Sequence, residues 1–69
     1  MTASDLAALS SIAAQLDDLA RRITAMAERY DTTPDSAIAA DLYSVERALL
    51  GATRALARAS QSLETGRGV

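Results

Sequence analysis

Three arginines in the second half of the chain are the residues best suited to binding chemistry. Arg47, Arg54 and Arg58 occur at i, i+7 and i+11, and this spacing puts them on one line of a helix. A guanidinium group binds phosphate through two parallel hydrogen bonds. This arginine row is therefore a candidate contact for an anion or a nucleic-acid backbone. The alternative interpretation is an ordinary solvated helix face, since a net charge of −2 gives no general attraction to nucleic acid.

The side chains that most enzymes use are missing from the sequence. It contains no His, Cys or Lys, so the usual general base and thiol nucleophile are absent and the serines have no activating partner. Neither a Glu-x-x-His metal motif nor a glycine-rich phosphate loop occurs. Asp17 and Asp18 precede Arg21 and Arg22 at helical spacing, which indicates exposed intrahelical ion pairs. We therefore expect no enzymatic activity, no catalytic or metal-binding residue and no cofactor.

The distribution of apolar residues gives no indication of a membrane protein. No apolar run approaches the ~20 residues of a transmembrane helix. Residues 1–5 are acidic and lack the basic start and apolar stretch of a signal peptide. We expect a cytoplasmic protein with no membrane partner.

The elements that must position these residues are two helices in a single domain, residues 1–69. The sequence contains sixteen alanines and seven arginines, and both residue types favour the α-helix. Helix 1 is predicted over about residues 4–30, and a turn follows at 31–34. Helix 2 is predicted over about residues 35–64, with a loose tail at 65–69. The predicted fold class is all-α, an antiparallel two-helix hairpin.

Large apolar residues in helix 1 alternate at spacings of three and four, which is the heptad pattern of a coiled coil. The row predicted to pack against helix 2 occupies heptad positions a and d: Leu9, Ile12, Leu16, Leu19, Ile23, Met26 and Tyr30. Position e holds Ala13, Ala20 and Ala27, which widen the row. A row of this width suits a helix that touches two neighbours in a bundle.

The turn is predicted from Pro34, which cannot lie inside a helix without the loss of a hydrogen bond. Thr33 is the predicted N-cap of helix 2, and Pro34 its first residue. Asp35 follows where the helix dipole favours negative charge. Gly66 is predicted to end helix 2.

Helix 2 repeats the heptad pattern with smaller residues. Its predicted contact row is Ile38, Leu42, Val45, Leu49, Ala52, Leu56, Ala59 and Leu63. Antiparallel pairing about the turn sets residues whose numbers add to about 68 beside each other. Leu16 is then predicted to face Ala52. Leu9 faces Ala59 in the same way, so that large residues meet small ones.

Apolar residues also occur outside the predicted contact between the two helices. The predicted interface for a further hairpin consists of Tyr43, Ala48, Leu50, Ala52, Ala55 and Ala59. We expect a homodimer in which two hairpins form a four-helix bundle with two-fold symmetry. A different protein could use the same residues. Gly51, in the middle of helix 2, indicates either close approach of another backbone or a tolerated surface glycine.

In length and layout the chain resembles the Rop-like helical hairpins, which dimerise into four-helix bundles and bind RNA. The resemblance covers both helices and rests on architecture and on the layering of small and large residues, so it implies no particular RNA-contact residue. The chain also resembles the WXG-type secreted hairpins in having two helices and one turn, but it contains no Trp and lacks that family's motif.

The predicted function is a small non-enzymatic protein-protein interaction or regulatory module that acts as a homo-oligomeric helical bundle. The alternative is a Rop-like nucleic-acid-binding hairpin that uses the arginine row.

Overall fold

The computed structural model, which describes residues 2–65, consists of two antiparallel helices joined by a short turn. Helix α1 spans Thr2–Asp31 and helix α2 spans Ser36–Glu64. The helices pack side by side in a hairpin whose Cα atoms extend over 52 × 18 × 10 Å. The predicted all-α helical hairpin is confirmed. The predicted helix end at Gly66 and the tail beyond it lie outside the described residues.

Hydrogen bonds around Thr33 close the turn between the helices. Its backbone N–H and its hydroxyl both donate to the Tyr30 carbonyl, at 3.1 and 2.7 Å, and the hydroxyl accepts a bond from the Asp35 N–H at 3.1 Å. Thr33 therefore satisfies a carbonyl at the end of α1. The prediction that it is the N-cap of α2 is wrong by two residues. Pro34 lies in the turn, and α2 begins at Ser36 after Asp35, whose side chain forms no capping hydrogen bond.

The ion pairs predicted within helix 1 are confirmed. The guanidinium group of Arg21 pairs with the carboxylate of Asp17, and one of its nitrogens lies 3.8 Å from a carboxylate oxygen of Asp18. The other carboxylate oxygen of Asp18 lies 3.7 Å from a guanidinium nitrogen of Arg22. These side chains remain 57–71% exposed, so each pair contributes only a few tenths of a kcal/mol, roughly. The pairs stabilise α1 locally and do not hold the hairpin together.

The side of α1 that packs against α2 differs from the predicted row. Its least exposed residues occupy heptad positions a and e: Leu6, Leu9, Ala13, Leu16, Ala20, Ile23, Ala27 and Tyr30. Position d was predicted to face α2, but Ile12, Leu19 and Met26 are 43%, 41% and 38% exposed. The prediction for position d is wrong because the alanines at position e let the two helices approach closely on that side.

Helix α2 is rotated in the same way. Apart from Tyr43 and Gly51, its less exposed residues alternate leucine with small or polar side chains: Ala39, Leu42, Glu46, Leu49, Thr53, Leu56, Ser60 and Leu63. The leucines belong to the predicted row, but the residues between them are displaced by one position, so Ile38 and Val45 are 42% and 44% exposed. Ala52 and Ala59 are also exposed. The predicted pairing of these two alanines with large residues of helix 1 is therefore wrong.

The hairpin has almost no core of its own. Among the described residues, only Ala20, Ala27 and Ala39 are buried, and no large apolar side chain is fully buried. Complete burial of a large apolar side chain contributes about 1.5–3 kcal/mol. One hairpin therefore realises only part of the stabilisation that its leucines and isoleucines can supply.

Gly51 lies on the side of α2 that faces away from α1, and a Cβ added to it would meet no atom within 4 Å. Gly51→Ala is therefore expected to stabilise the fold by about 0.5–1 kcal/mol, because alanine restricts the unfolded chain and favours helix. Urea unfolding followed by circular dichroism, at matched protein concentrations, measures the change. A loss of stability would instead show that another backbone approaches Gly51 closely.

Candidate interaction surface

One side of the hairpin carries a row of exposed apolar side chains from both helices. They all occupy heptad position d, and the large ones are about two-fifths exposed. We call this surface the apolar face: Ile12, Leu19 and Met26 of α1, and Ile38, Val45, Ala52 and Ala59 of α2. Seen down each helix from its N-terminus, position d is rotated away from the helix–helix contact in the same direction in α1 and in α2. In an antiparallel pair, such residues lie on the same side of the hairpin. Position d of both helices therefore faces one way.

Hydrogen bonding on the opposite side of the hairpin supports this assignment. The Thr24 hydroxyl donates to the Glu46 carboxylate at 2.6 Å, which joins the two helices. Seen down the axis of its helix, each of these two residues is rotated away from the centre of the helix–helix contact in the direction opposite to position d. We call this side the polar face: Thr24, Tyr43, Glu46 and Leu50. The two faces thus differ sharply in chemistry, one apolar along its length and one carrying charge.

Half-buried residues at heptad position a lie next to the apolar face. They include Leu9, Leu16, Ile23, Leu42, Leu49, Leu56 and Leu63. Positions a and d together form a continuous apolar surface along the hairpin. Successive residues of a helix are rotated by about 100° about its axis. Seen down the axis of one helix, the mean direction of the side chains at positions a and d therefore lies about 50° from the direction of the neighbouring helix. In a four-helix bundle, the central axis lies about 45° from the direction of each neighbour.

Tyr43 lies half-buried on the polar face among carboxylates. Partial burial and the negative charges of Asp31, Glu28 and Glu46 raise the pKa of its phenol above the ordinary value. Leu50, seven residues further along α2, is 39% exposed. The polar face is therefore negatively charged around Tyr43, and Leu50 is an isolated large apolar residue on it.

The raised pKa of Tyr43 predicts a loss of stability at alkaline pH. The folded chain holds the phenolic proton more tightly than the unfolded chain, so this contribution is complete below the unfolded pKa and falls as pH rises through the folded pKa. Unfolding free energy measured across pH 8 to 11, roughly, should fall less in Tyr43→Phe than in the natural chain. In a Tyr30→Phe variant, the absorbance of tyrosinate reports on Tyr43 alone. It should show that Tyr43 ionises at a higher pH in the folded chain than in the urea-unfolded chain. Coincident titrations would contradict the prediction.

The structure divides the predicted interface residues between two faces. Two of the four alanines belong to the apolar face, and the other two, Ala48 and Ala55, lie exposed at its α2 edge. Tyr43 and Leu50 lie on the polar face instead. Sequence reasoning misses Leu19 and its neighbours at position d as surface residues, because it places them between the helices. The signal that could have found them is the equally regular row of small residues at position e.

The arginine row lies on the outer side of α2, next to the polar face. All three arginines are exposed, and none forms an ion pair with another residue in the part of the chain that the structure describes. From Arg47 to Arg58 the row extends about 16 Å along the helix, at 1.5 Å per residue. The three guanidinium groups are thus accessible to an anion on a side of the molecule away from the apolar face.

Other surface features of the hairpin are slight. A shallow depression on α1 is lined by Ser11, Ala14, Gln15, Asp18, Leu19 and Arg22, all from one helix. Within residues 2–65, no group of three His, Cys, Asp or Glu side chains is arranged to hold a metal ion. Neither α1 nor α2, over the same range, has a stretch that is both long and apolar enough to cross a membrane.

No protein-family model, curated protein or solved structure matches the chain.

Proposed function

We propose that the chain is a small non-enzymatic interaction or regulatory module that acts as a homo-oligomeric helical bundle. The observation that carries the proposal is the apolar face, on which five large side chains are 38–44% exposed in two parallel rows. Contiguous apolar surface of this kind marks sites of protein association. The alanine core of a single hairpin adds support, since further burial of the leucines requires another layer of helices.

The direction of the heptad positions also favours a bundle. Positions a and d point about 50° away from the partner helix within the hairpin, close to the direction of the centre of a four-helix bundle. The close contact through the small residues at position e leaves the large residues at positions a and d directed toward that centre. The observed rotation therefore supports a second pair of helices on the apolar face.

Light scattering and circular dichroism over a series of protein concentrations test the proposal. We expect a solution mass near twice 7.2 kDa at high concentration, with helicity that falls as the oligomer dissociates. A chain that stays monomeric and fully helical at every concentration would contradict self-association. A poorly helical monomer that gains helicity only with another protein would point to a different partner for the same face.

A nucleic-acid contact through the arginine row is the second candidate, and one observation favours it. The three guanidinium groups are exposed and form no ion pair among the described residues. Binding to a duplex RNA should then weaken steeply with salt, and Arg54→Ala should lower both the affinity and the salt dependence. Arg22→Ala, which alters a paired arginine on the other helix, is the matched control. Equal effects of the two variants would rule out a specific arginine row.

A further inference from the structure

We propose that the apolar face is covered by a second copy of the chain, stacked so that the two turns lie at the same end of the bundle. In this arrangement α1 of each copy packs against α2 of the other. The inference rests on the proposed function and names both the partner and its orientation. Three features of the hairpin lead to it: the size of the face, the distribution of large and small residues, and the charges at its edges.

The side of the hairpin that carries the apolar face has the dimensions that a stable dimer needs. In the plane of the two helices the Cα atoms extend over 52 × 18 Å, an outline of about 900 Å² per copy, and the apolar face occupies the middle part of it. A specific protein interface of standard size buries about 800 Å² of each partner. A second hairpin of the same dimensions covers the whole face, whereas a single added helix would leave about half of it exposed.

Two hairpins can stack face to face with two-fold symmetry in two ways. In the first, the symmetry axis runs parallel to the helices, and α1 lies over α2 of the second copy with both turns at one end. In the second, the axis crosses the helices, α1 lies over α1, and the turns are at opposite ends. A rotation about an axis parallel to the helices shifts nothing along them. We call two residues level when they lie at the same height along the helices. In the first arrangement, a residue of α1 is therefore level with a residue of α2 in the second copy whenever the two are level within one hairpin.

The hydrogen bond between Thr24 and Glu46, whose numbers add to 70, gives the approximate register of the two helices. With this register, Leu19 comes opposite Ala52 of the second copy to within one residue, and a large residue meets a smaller one. The same holds for Ile12 with Ala59 and for Met26 with Val45. In the alternative arrangement each helix meets its own copy, so the large position d residues of α1 meet only one another and the smaller ones of α2 meet only one another, which crowds one side of the bundle and leaves a gap on the other. Dense packing favours the first arrangement.

The charges at the two edges of the apolar face favour the same arrangement. Arg29 lies at the α1 edge and Asp41 at the α2 edge, both exposed. Their numbers add to 70, so Arg29 comes level with Asp41 of the second copy, and the symmetry forms this pair twice. In the alternative arrangement Arg29 faces the same edge of α1, which has no acidic residue, and Asp41 faces the same edge of α2, which has no basic residue. Size and charge thus select one orientation independently.

Distances between spin labels in the dimer test the orientation directly, since the chain has no Cys of its own. A label at Thr32→Cys, in the turn, should lie within about 25 Å of its symmetry mate if the turns share one end. If the turns are at opposite ends, the separation should be roughly 40 Å, from the rise of 1.5 Å per residue. Glu64→Cys, exposed near the far end of α2, repeats the measurement should the turn variant not fold.

Charge reversal supplies an independent readout. Asp41→Arg and Arg29→Asp should each weaken the dimer about tenfold, because each turns two attractive pairs into repulsive ones, and the double variant should recover to within about threefold. Arg54→Asp makes the same charge change away from the interface and should leave the dimer unchanged. A dimer with a long label separation and no recovery in the double variant would overturn the orientation while leaving the proposed function intact. A chain that is monomeric throughout would overturn both.

Discussion

Leu19→Glu is expected to convert the proposed dimer into a monomer, whereas Leu50→Glu is expected to leave it intact. The two leucines are nearly equally exposed in the hairpin, at 41% and 39%, but they lie on opposite faces. The proposed dimer would bury the two-fifths of each Leu19 that the hairpin leaves exposed, worth about 0.6–1.2 kcal/mol per copy, and a buried carboxylate there would have no partner, which costs more. The dissociation constant should therefore rise by at least ~100-fold in Leu19→Glu.

Sedimentation or light scattering across a concentration series measures this difference. Leu50→Glu controls for the loss of a leucine and the gain of a charge, because it makes the same change on the polar face. If the effects of the two variants were reversed, the interface would lie on the side of Tyr43 and Leu50, as the sequence alone allows. Equal, small effects would mean that neither face is used for self-association.

Ala27→Leu is expected to destabilise the hairpin. Ala27 is fully buried where α1 meets α2, so three added carbon atoms must push the helices apart or force strained side-chain conformations. Overpacking of this kind costs about 1–3 kcal/mol. Thermal and urea unfolding, followed by circular dichroism at one protein concentration, measure the loss.

Ala25→Leu is the matched control for this substitution. Ala25 is exposed on α1, two residues away, and leucine and alanine are both strong helix formers. Its stability should stay within about 0.5 kcal/mol of the natural chain. If Ala27→Leu were equally harmless, the close contact through the alanines at position e would be wrong.

The spacing of apolar residues was sufficient to predict both helices and their antiparallel pairing. The rotation of the helices about their axes was not predictable in the same way. Ile38 and Val45 are more hydrophobic than Ala39 and Glu46, so hydrophobicity alone predicts that the first two contact α1. The structure instead buries Ala39 and half-buries Glu46. Two helices approach most closely where their side chains are small, so the alanines decide the contact. The larger residues then remain beside it.

The candidate surface was predictable in part for the same reason. The alanines of α2 that the sequence singles out lie on or beside the apolar face, because a regular row of small residues is visible in the sequence. The exposure of Ile12, Leu19 and Met26 depends on which neighbouring row faces α2, and single-helix periodicity cannot distinguish the two rows. The division between the apolar and polar faces depends further on the antiparallel geometry of the pair.

The alanine core has a consequence for how the amount of protein in a cell governs its persistence. A chain that completes its burial only by pairing is folded in proportion to its own concentration. Below the dissociation constant, most molecules expose apolar segments and open helices to proteases, and they are removed. As the concentration rises toward it, the amount of surviving protein rises more steeply than the rate of synthesis, because the paired fraction rises as well. If the proposed dimer forms, the survival of the chain would thus depend on its own concentration, without any ligand or modification.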